Sequence, residues 1–132
     1  MTMKYSKEVM KNFLHPKNMG EMKNPDGTGK VGNPTCGDIM QVQIKVNKNK
    51  NIIEDIKFKT FGCAAAIATS SMITQLAKGK KLEDAKKIKR EDVAKSLKGL
   101  PPLKMHCSNL ASDALKKAIE DYEERSIKNE KV

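Results

Sequence analysis

The chain has 132 residues, with 26 Lys and Arg against 16 Asp and Glu and a formal net charge of +10. That length supports one domain over residues 1–132, with short flexible termini at about 1–5 and 126–132 and a modest core built, in the absence of Trp, from Ile, Leu, Val, Met and Ala. No apolar run approaches the roughly 20 residues that cross a bilayer, and Met1 to Phe13 has no signal-peptide core, so a cytoplasmic protein with no membrane partner is expected.

Ser6 is placed to cap a short helix whose apolar side is Val9 and Phe13, with Met10 and Leu14 beside them. His15-Pro16 ends it, because the residue before proline disfavours the helical region, and His15 reads as a helix-end residue only. Residues 16–35 hold three prolines and four glycines and read as loop, with at most a short strand near Val31. Met40, Val42, Ile44 and Val46 then alternate with polar residues as in a half-buried strand. The polar run Asn47 to Asn51 is a hairpin turn, and Ile56 and Phe58 mark one face of the next strand. In Ala64 to Ala77, positions 65, 68, 69, 72, 73 and 76 make one helical stripe. Glu91 to Lys98 reads as a shorter helix closed by Gly99. Pro101-Pro102 forces an extended break. The strongest helical period follows, in Leu110, Ala111, Ala114, Leu115, Ala118, Ile119 and Tyr122. The sum is an α+β domain, a small antiparallel sheet of about three strands packed against several helices.

The charge is concentrated. Only Arg90 and Arg125 are arginines, and residues 78–98 carry nine cations against four carboxylates. Base readout and stacking favour Arg and aromatic side chains, and this stretch has no aromatic residue. It reads first as a solvated lysine-rich surface, second as a docking face for an acidic protein partner, and last as a nucleic-acid surface.

Three cysteines cannot all pair within one chain, and without a secretory signal they point to metal ligation or thiol chemistry rather than disulfides. Cys36 precedes the Met40 strand, with Asp38 two residues on at the same parity. Cys63 and Cys107 each fall at the start of a helix, where the dipole favours thiolate. The hairpin brings Cys36 and Cys63 to one end of the sheet, and Cys107 joins them if the last helix packs near that end. Gly37 and Gly62, lacking Cβ, let the backbone approach an inorganic group. Three soft thiolates select zinc, copper(I) or an iron–sulfur cluster, and Asp38 and His106 are the candidates for a fourth, weaker ligand. A structural zinc site would favour closely spaced CxxC pairs; the gaps here are 27 and 44 residues. The bland alternatives are an inert buried cysteine, a turn-capping Asp38 and a surface His106.

Three stretches carry a resemblance: Gly32-Asn33-Pro34-Thr35-Cys36-Gly37-Asp38, Phe61-Gly62-Cys63-Ala64-Ala65-Ala66-Ile67-Ala68-Thr69-Ser70-Ser71, and Leu100-Pro101-Pro102-Leu103-Lys104-Met105-His106-Cys107-Ser108. Together and in this order they resemble the IscU/NifU N-terminal family of iron–sulfur assembly scaffolds, from about Tyr5 to Tyr122. The resemblance implies an IscU/SufE-like fold and a scaffold rather than an enzyme. Such a scaffold assembles a 2Fe-2S cluster from iron and from sulfur supplied by a cysteine desulfurase, and transfers it to apo-proteins. It implies ligand positions at Cys36, Asp38, Cys63, His106 and Cys107, with Cys107 accepting the persulfide. It also implies a ferredoxin-type electron donor, a monomer or homodimer, and an Hsp70-type chaperone acting on Leu100 to Lys104. There the family's Leu-Pro-Pro-Val-Lys has Leu103 in the Val place. A zinc-binding, SufU-like sulfurtransferase, with Zn2+ on the same residues, is the alternative. That branch carries an insertion between its second and third cysteines, for which the 44-residue gap leaves no room.

Overall fold

The computed structural model describes residues 6–33, 38–62, 64–100 and 105–130, and at Asn33, Asp38, His106 and residues 128–130 the backbone alone. Helix α1 (Lys7–Leu14) starts as expected, with Ser6 Oγ accepting the Val9 N–H at 3.1 Å. The same hydroxyl donates to the Leu97 carbonyl, tying the helix start to a segment 91 residues further along the chain. Val9 is fully buried and Phe13 half-buried, but Met10 and Leu14 face outward, and the second buried position is Asn12. Asn12 has a polar seat: its Oδ1 accepts from Ser71 Oγ at 2.8 Å and Gln75 Nε2 at 2.7 Å.

Strands β1 (Gly27–Asn33), β2 (Asp38–Asn47) and β3 (Ile52–Phe61) form one antiparallel sheet in that order. The expected alternation holds: Met40, Val42, Ile44, Val46, Ile56 and Phe58 are all buried. A register shift between Lys45 and Val46 pairs Val46 with Ile53 while Lys45 pairs with Asp55. The extra residue lets Ile53 and Ile56 both face the core. Asn47 Oδ1 accepts from the N–H groups of Asn49 and Lys50, and Asn51 takes a positive φ of 58° to close the hairpin. The outer edge of β3 is covered by the chain at Met19, where Phe58 N–H donates to Asn18 O and Gly20 N–H to Phe58 O.

β1 is longer than the short strand expected near Val31. Its composition hid it, because Gly27 and Gly29 take positions that a strand normally fills with β-branched residues. The reason lies on the opposite wall. Helix α5 (Met105–Glu130) packs across β1 and β2. An added Cβ on Gly27 would lie 2.2 Å from Ala118 O, and one on Gly29 would lie 2.2 Å from Ala114 O and 2.4 Å from Ala118 N. Glycine on the strand and alanine on the helix let the two backbones touch. Asp121 at the same end accepts the Thr28 N–H at 2.9 Å, and Arg125 holds Asp121 at 3.0 Å.

Helix α2 (Ala64–Ala77) is buried on far more of its circumference than one stripe. It packs on β3, α5 and α1, so Ser70, Ser71 and Thr74 are enclosed along with the alanines, while Leu76 is only half-buried. Helix α3 (Leu82–Lys86) was not legible as a separate turn; Lys86 Nζ reaches Glu123 of α5 at 2.5 Å. Helix α4 (Arg90–Ser96) is shorter than the expected Glu91 to Lys98. Lys98 (φ 59°) and Gly99 (φ 100°) already lie in the left-handed exit, with Gly99 N–H on Ala94 O. At the other terminus α5 continues through residues 126–130, which were expected with 131–132 to be a loose tail. The core is the layer between the sheet and α2 and α5, closed by α1 and α4.

The seam makes a prediction. Gly29→Ala forces its new Cβ into backbone rather than into a flexible side chain, so it should lose about 1–3 kcal/mol in urea unfolding. Lys30→Ala next to it, on an exposed side chain, should stay within about 0.5 kcal/mol.

Candidate metal-binding site

The seam sets the direction of α5 against β1. Moving from Gly27 to Gly29 along the strand moves from Ala118 to Ala114 along the helix. Two strand residues advance about 6.7 Å and four helix residues about 6 Å, so the two keep step. Val31 then falls level with Leu110 and Ala111, and Asn33 level with Cys107. Asn33 pairs with Asp38 as the last rung of the β1–β2 ladder, and Ile39 pairs with Phe61 as the last rung of β2–β3. The first turn of α5, the β1–β2 connection and the exit of β3 therefore share one pole of the domain.

Each sequence-identified residue can be located against that pole. Cys107 lies in the first turn of α5 and has no exposed surface. The backbone of His106 is in the same turn, and the backbone of Asp38 is on the last rung. Cys36 and Cys63 lie outside the described residues, Cys36 within the connection between Asn33 and Asp38 and Cys63 between Gly62 and Ala64. Of the five residues, the described backbone places Asp38 on the last rung of the β1–β2 ladder, and His106 and Cys107 in the first turn of α5. The glycine seam packs the last helix on β1, as the expectation for Cys107 required.

The surroundings of the pole are mixed in polarity. Val31, Gly32 and Ile39 line a pocket together with Lys30. Phe61, two residues before Cys63, is 65% exposed, unusual for a large apolar side chain at a strand end. The first turn of α5 contains no acidic residue, so the positive end of that helix is not offset by its own carboxylates. Among the described residues, the ionisable groups with clear shifts belong to other features: Lys59 beside Glu21 lowers its carboxyl through a 2.6 Å hydrogen bond, a backbone hydrogen bond and Arg90 lower that of Glu91, and burial raises the Tyr122 phenol, helped by Asp26 and Glu123.

Two residues were not singled out in the sequence. Among the described residues, Ser70 of α2 and Ser108 of α5 carry buried hydroxyls with no hydrogen-bond partner. Ser108 adjoins Cys107, and Ser70 stands two helical turns into the helix that follows Cys63. No sequence signal marks them, since a serine on a helix ordinarily bonds its own backbone.

Solved structures share this fold. One described as a putative iron–sulfur cluster assembly scaffold protein for the SUF system, from Fervidobacterium islandicum, superposes with a TM-score of 0.73 over 87% of this chain and 96% of that one, at 22% identity. The model of the NifU-like N terminal domain matches residues 4–129, and the chain belongs to that family. Its curated relatives include the iron–sulfur cluster assembly scaffold protein IscU 1 of Archaeoglobus fulgidus, 58% identical over 97% of this chain and 82% of that protein. The IscU scaffold protein of Haemophilus influenzae is 54% identical over 91% of this chain and 96% of its own length.

The two serines are testable by contrast. Ser71 Oγ accepts the Lys17 N–H at 2.9 Å and donates to Asn12, so Ser71→Ala should cost about 1–3 kcal/mol. Ser108→Ala removes a buried hydroxyl that bonds nothing and should leave the thermal midpoint unchanged or raise it.

Proposed function

We propose that the protein is a scaffold on which an iron–sulfur cluster is assembled and from which it is passed to apo-proteins. One observation supports the reading: the β1–α5 seam runs α5 along β1 so that its first turn, which holds Cys107, heads toward the end of the sheet where β1 and β3 end and β2 begins. Membership of the NifU-like N terminal domain family, and relatives described as IscU assembly scaffolds, support it. The cluster is cargo. Its type is 2Fe-2S, held by Cys36, Cys63 and Cys107, with Asp38 or His106 at the exchangeable corner. A corner of oxygen or imidazole opens more easily than a fourth thiolate, which suits a carrier that must release what it holds.

The chemistry divides among this chain's residues. A cysteine desulfurase presents a persulfide whose terminal sulfur the Cys107 thiolate attacks. A new S–S bond forms on Cys107, the old one breaks, and the desulfurase leaves as thiolate. Each sulfane sulfur then needs two electrons to become sulfide, drawn from ferrous iron and a ferredoxin-type donor. Because Cys107 has no exposed surface, this attack requires the pole to open when the desulfurase docks. Such chemistry suits a cytoplasmic setting, where thiols stay reduced. No helix among the described residues is long and apolar enough to cross a membrane. The Hsp70-type chaperone would act on the stretch from Leu100 to Lys104, of which residues 101–104 lie outside the described set.

Protein purified without oxygen should show absorption between roughly 320 and 460 nm with near-equal iron and sulfide. A colourless zinc protein that desulfurase, cysteine and iron fail to convert would instead make the chain a zinc-dependent sulfur acceptor. With cluster loaded, Asp38→Ala should slow transfer to an apo-ferredoxin by removing the exchangeable ligand. Faster transfer from that variant would remove Asp38 from the corner.

A further inference from the structure

We infer that the lysine-rich edge centred on the β2–β3 hairpin and α3, and continued along the chain by α4, is a docking surface for an acidic protein partner. The hairpin and residues 79–82, where the 78–98 stretch begins, are one surface because the backbone joins them. Ile53 N–H donates to Lys80 O, Gly79 N–H to Ile53 O and Leu82 N–H to Asn51 O. Residues 47–51 and 78–98 together hold eleven cations against four carboxylates, and so carry seven of the chain's ten excess positive charges.

Two of the four carboxylates of this surface, Glu91 and Asp92, are committed locally. Glu83 and Asp84, in the first turn of α3, have no ion pair among the described residues. Asp92 accepts the Lys89 N–H at 2.9 Å, and Glu91 pairs with Arg90 at 3.1 Å. From outside the surface, Asp55 meets Lys78 at 3.6 Å and Glu123 meets Lys86. Lys48, Lys50, Lys80, Lys81, Lys87, Lys89, Lys95 and Lys98 are all exposed, and none has an ion pair among the described residues. Holding so many like charges on one edge costs self-repulsion that an acidic partner relieves.

Lysine rather than arginine, with no aromatic side chain in either segment, favours a carboxylate-bearing protein over stacked nucleic acid. The surface begins at the hairpin, the end of the sheet opposite the last rungs at Asn33–Asp38 and Ile39–Phe61. A partner seated on the hairpin and α3 lies away from those last rungs. The inference therefore does not depend on which group the cysteines hold.

The test uses the full chain and two labelled probes, a polyglutamate peptide and a DNA duplex of similar charge, read by fluorescence anisotropy at low and moderate salt. Lys80→Glu/Lys81→Glu/Lys87→Glu should weaken peptide binding about tenfold or more, with a reduced salt slope. Lys23→Glu/Lys116→Glu/Lys117→Glu makes the same change in net charge elsewhere and should weaken it by about twofold at most. Equal losses in the two triple variants would overturn the proposal, leaving only diffuse charge. DNA bound as tightly as the peptide would overturn it in favour of a nucleic-acid surface. Circular dichroism on both variants separates loss of binding from loss of fold.

Discussion

The close approach of α5 to β1 is the constraint on which the rest of the structure depends. Gly27 and Gly29 leave no room for a side chain between the strand and the helix backbone at Ala114 and Ala118. A helix held at that distance cannot slide, because displacing it along the strand would bring Cβ atoms against carbonyls. The register therefore runs from Gly27 to the first turn of α5, and it places Cys107 beside the last rung of the sheet. With larger residues in the seam, α5 would ride higher and its first turn would no longer meet the strand ends. The weakest-looking strand in composition thus governs where the first turn of α5 lies.

Burial around that seam is uneven in kind. The sheet side of the core is apolar and conventional, from Met40 to Phe58. The α1–α2 contact is held by Asn12, Ser71 and Gln75, with Asn18 on Thr74 at 3.1 Å. Hydrogen bonds of this sort add modest net stability but are costly to leave half-made, so they fix α1 in one seat. Ser70 and Ser108 break that pattern, and both stand on the helices that begin at the cysteine pole. Departures from full satisfaction commonly gather near functional sites.

Much of this was legible in the sequence, for identifiable reasons. The β2 alternation, the Asn-rich hairpin and the α5 period each express one dominant physical pattern, and each appears where expected. The ends of the elements near Cys36, Cys63 and Cys107 followed from those patterns. What failed to show depended on partners distant in sequence. β1 looked like loop because its glycines answer to Ala114 and Ala118, some 85 to 91 residues away. α2 showed one stripe because Ser71 and Thr74 are buried through bonds to Asn12 and Lys17, which a period cannot reveal. α3 is a five-residue turn between lysines, too short to display a period. The outward Met10 and Leu14 show the converse, apolar residues at helical spacing that the core does not use.

The most direct measurement is anaerobic reconstitution with iron and sulfide of the unaltered chain and of Cys36→Ser, Cys63→Ser and Cys107→Ser, with iron and sulfide counted on each folded product. If the three thiolates meet at the pole that the glycine seam defines, the unaltered chain takes up iron and sulfide in near-equal amounts and each variant stays colourless. A Cys107→Ser protein that kept a full, equally stable cluster would contradict it. The first turn of α5 would then lie outside the site, and the seam would have only a structural role.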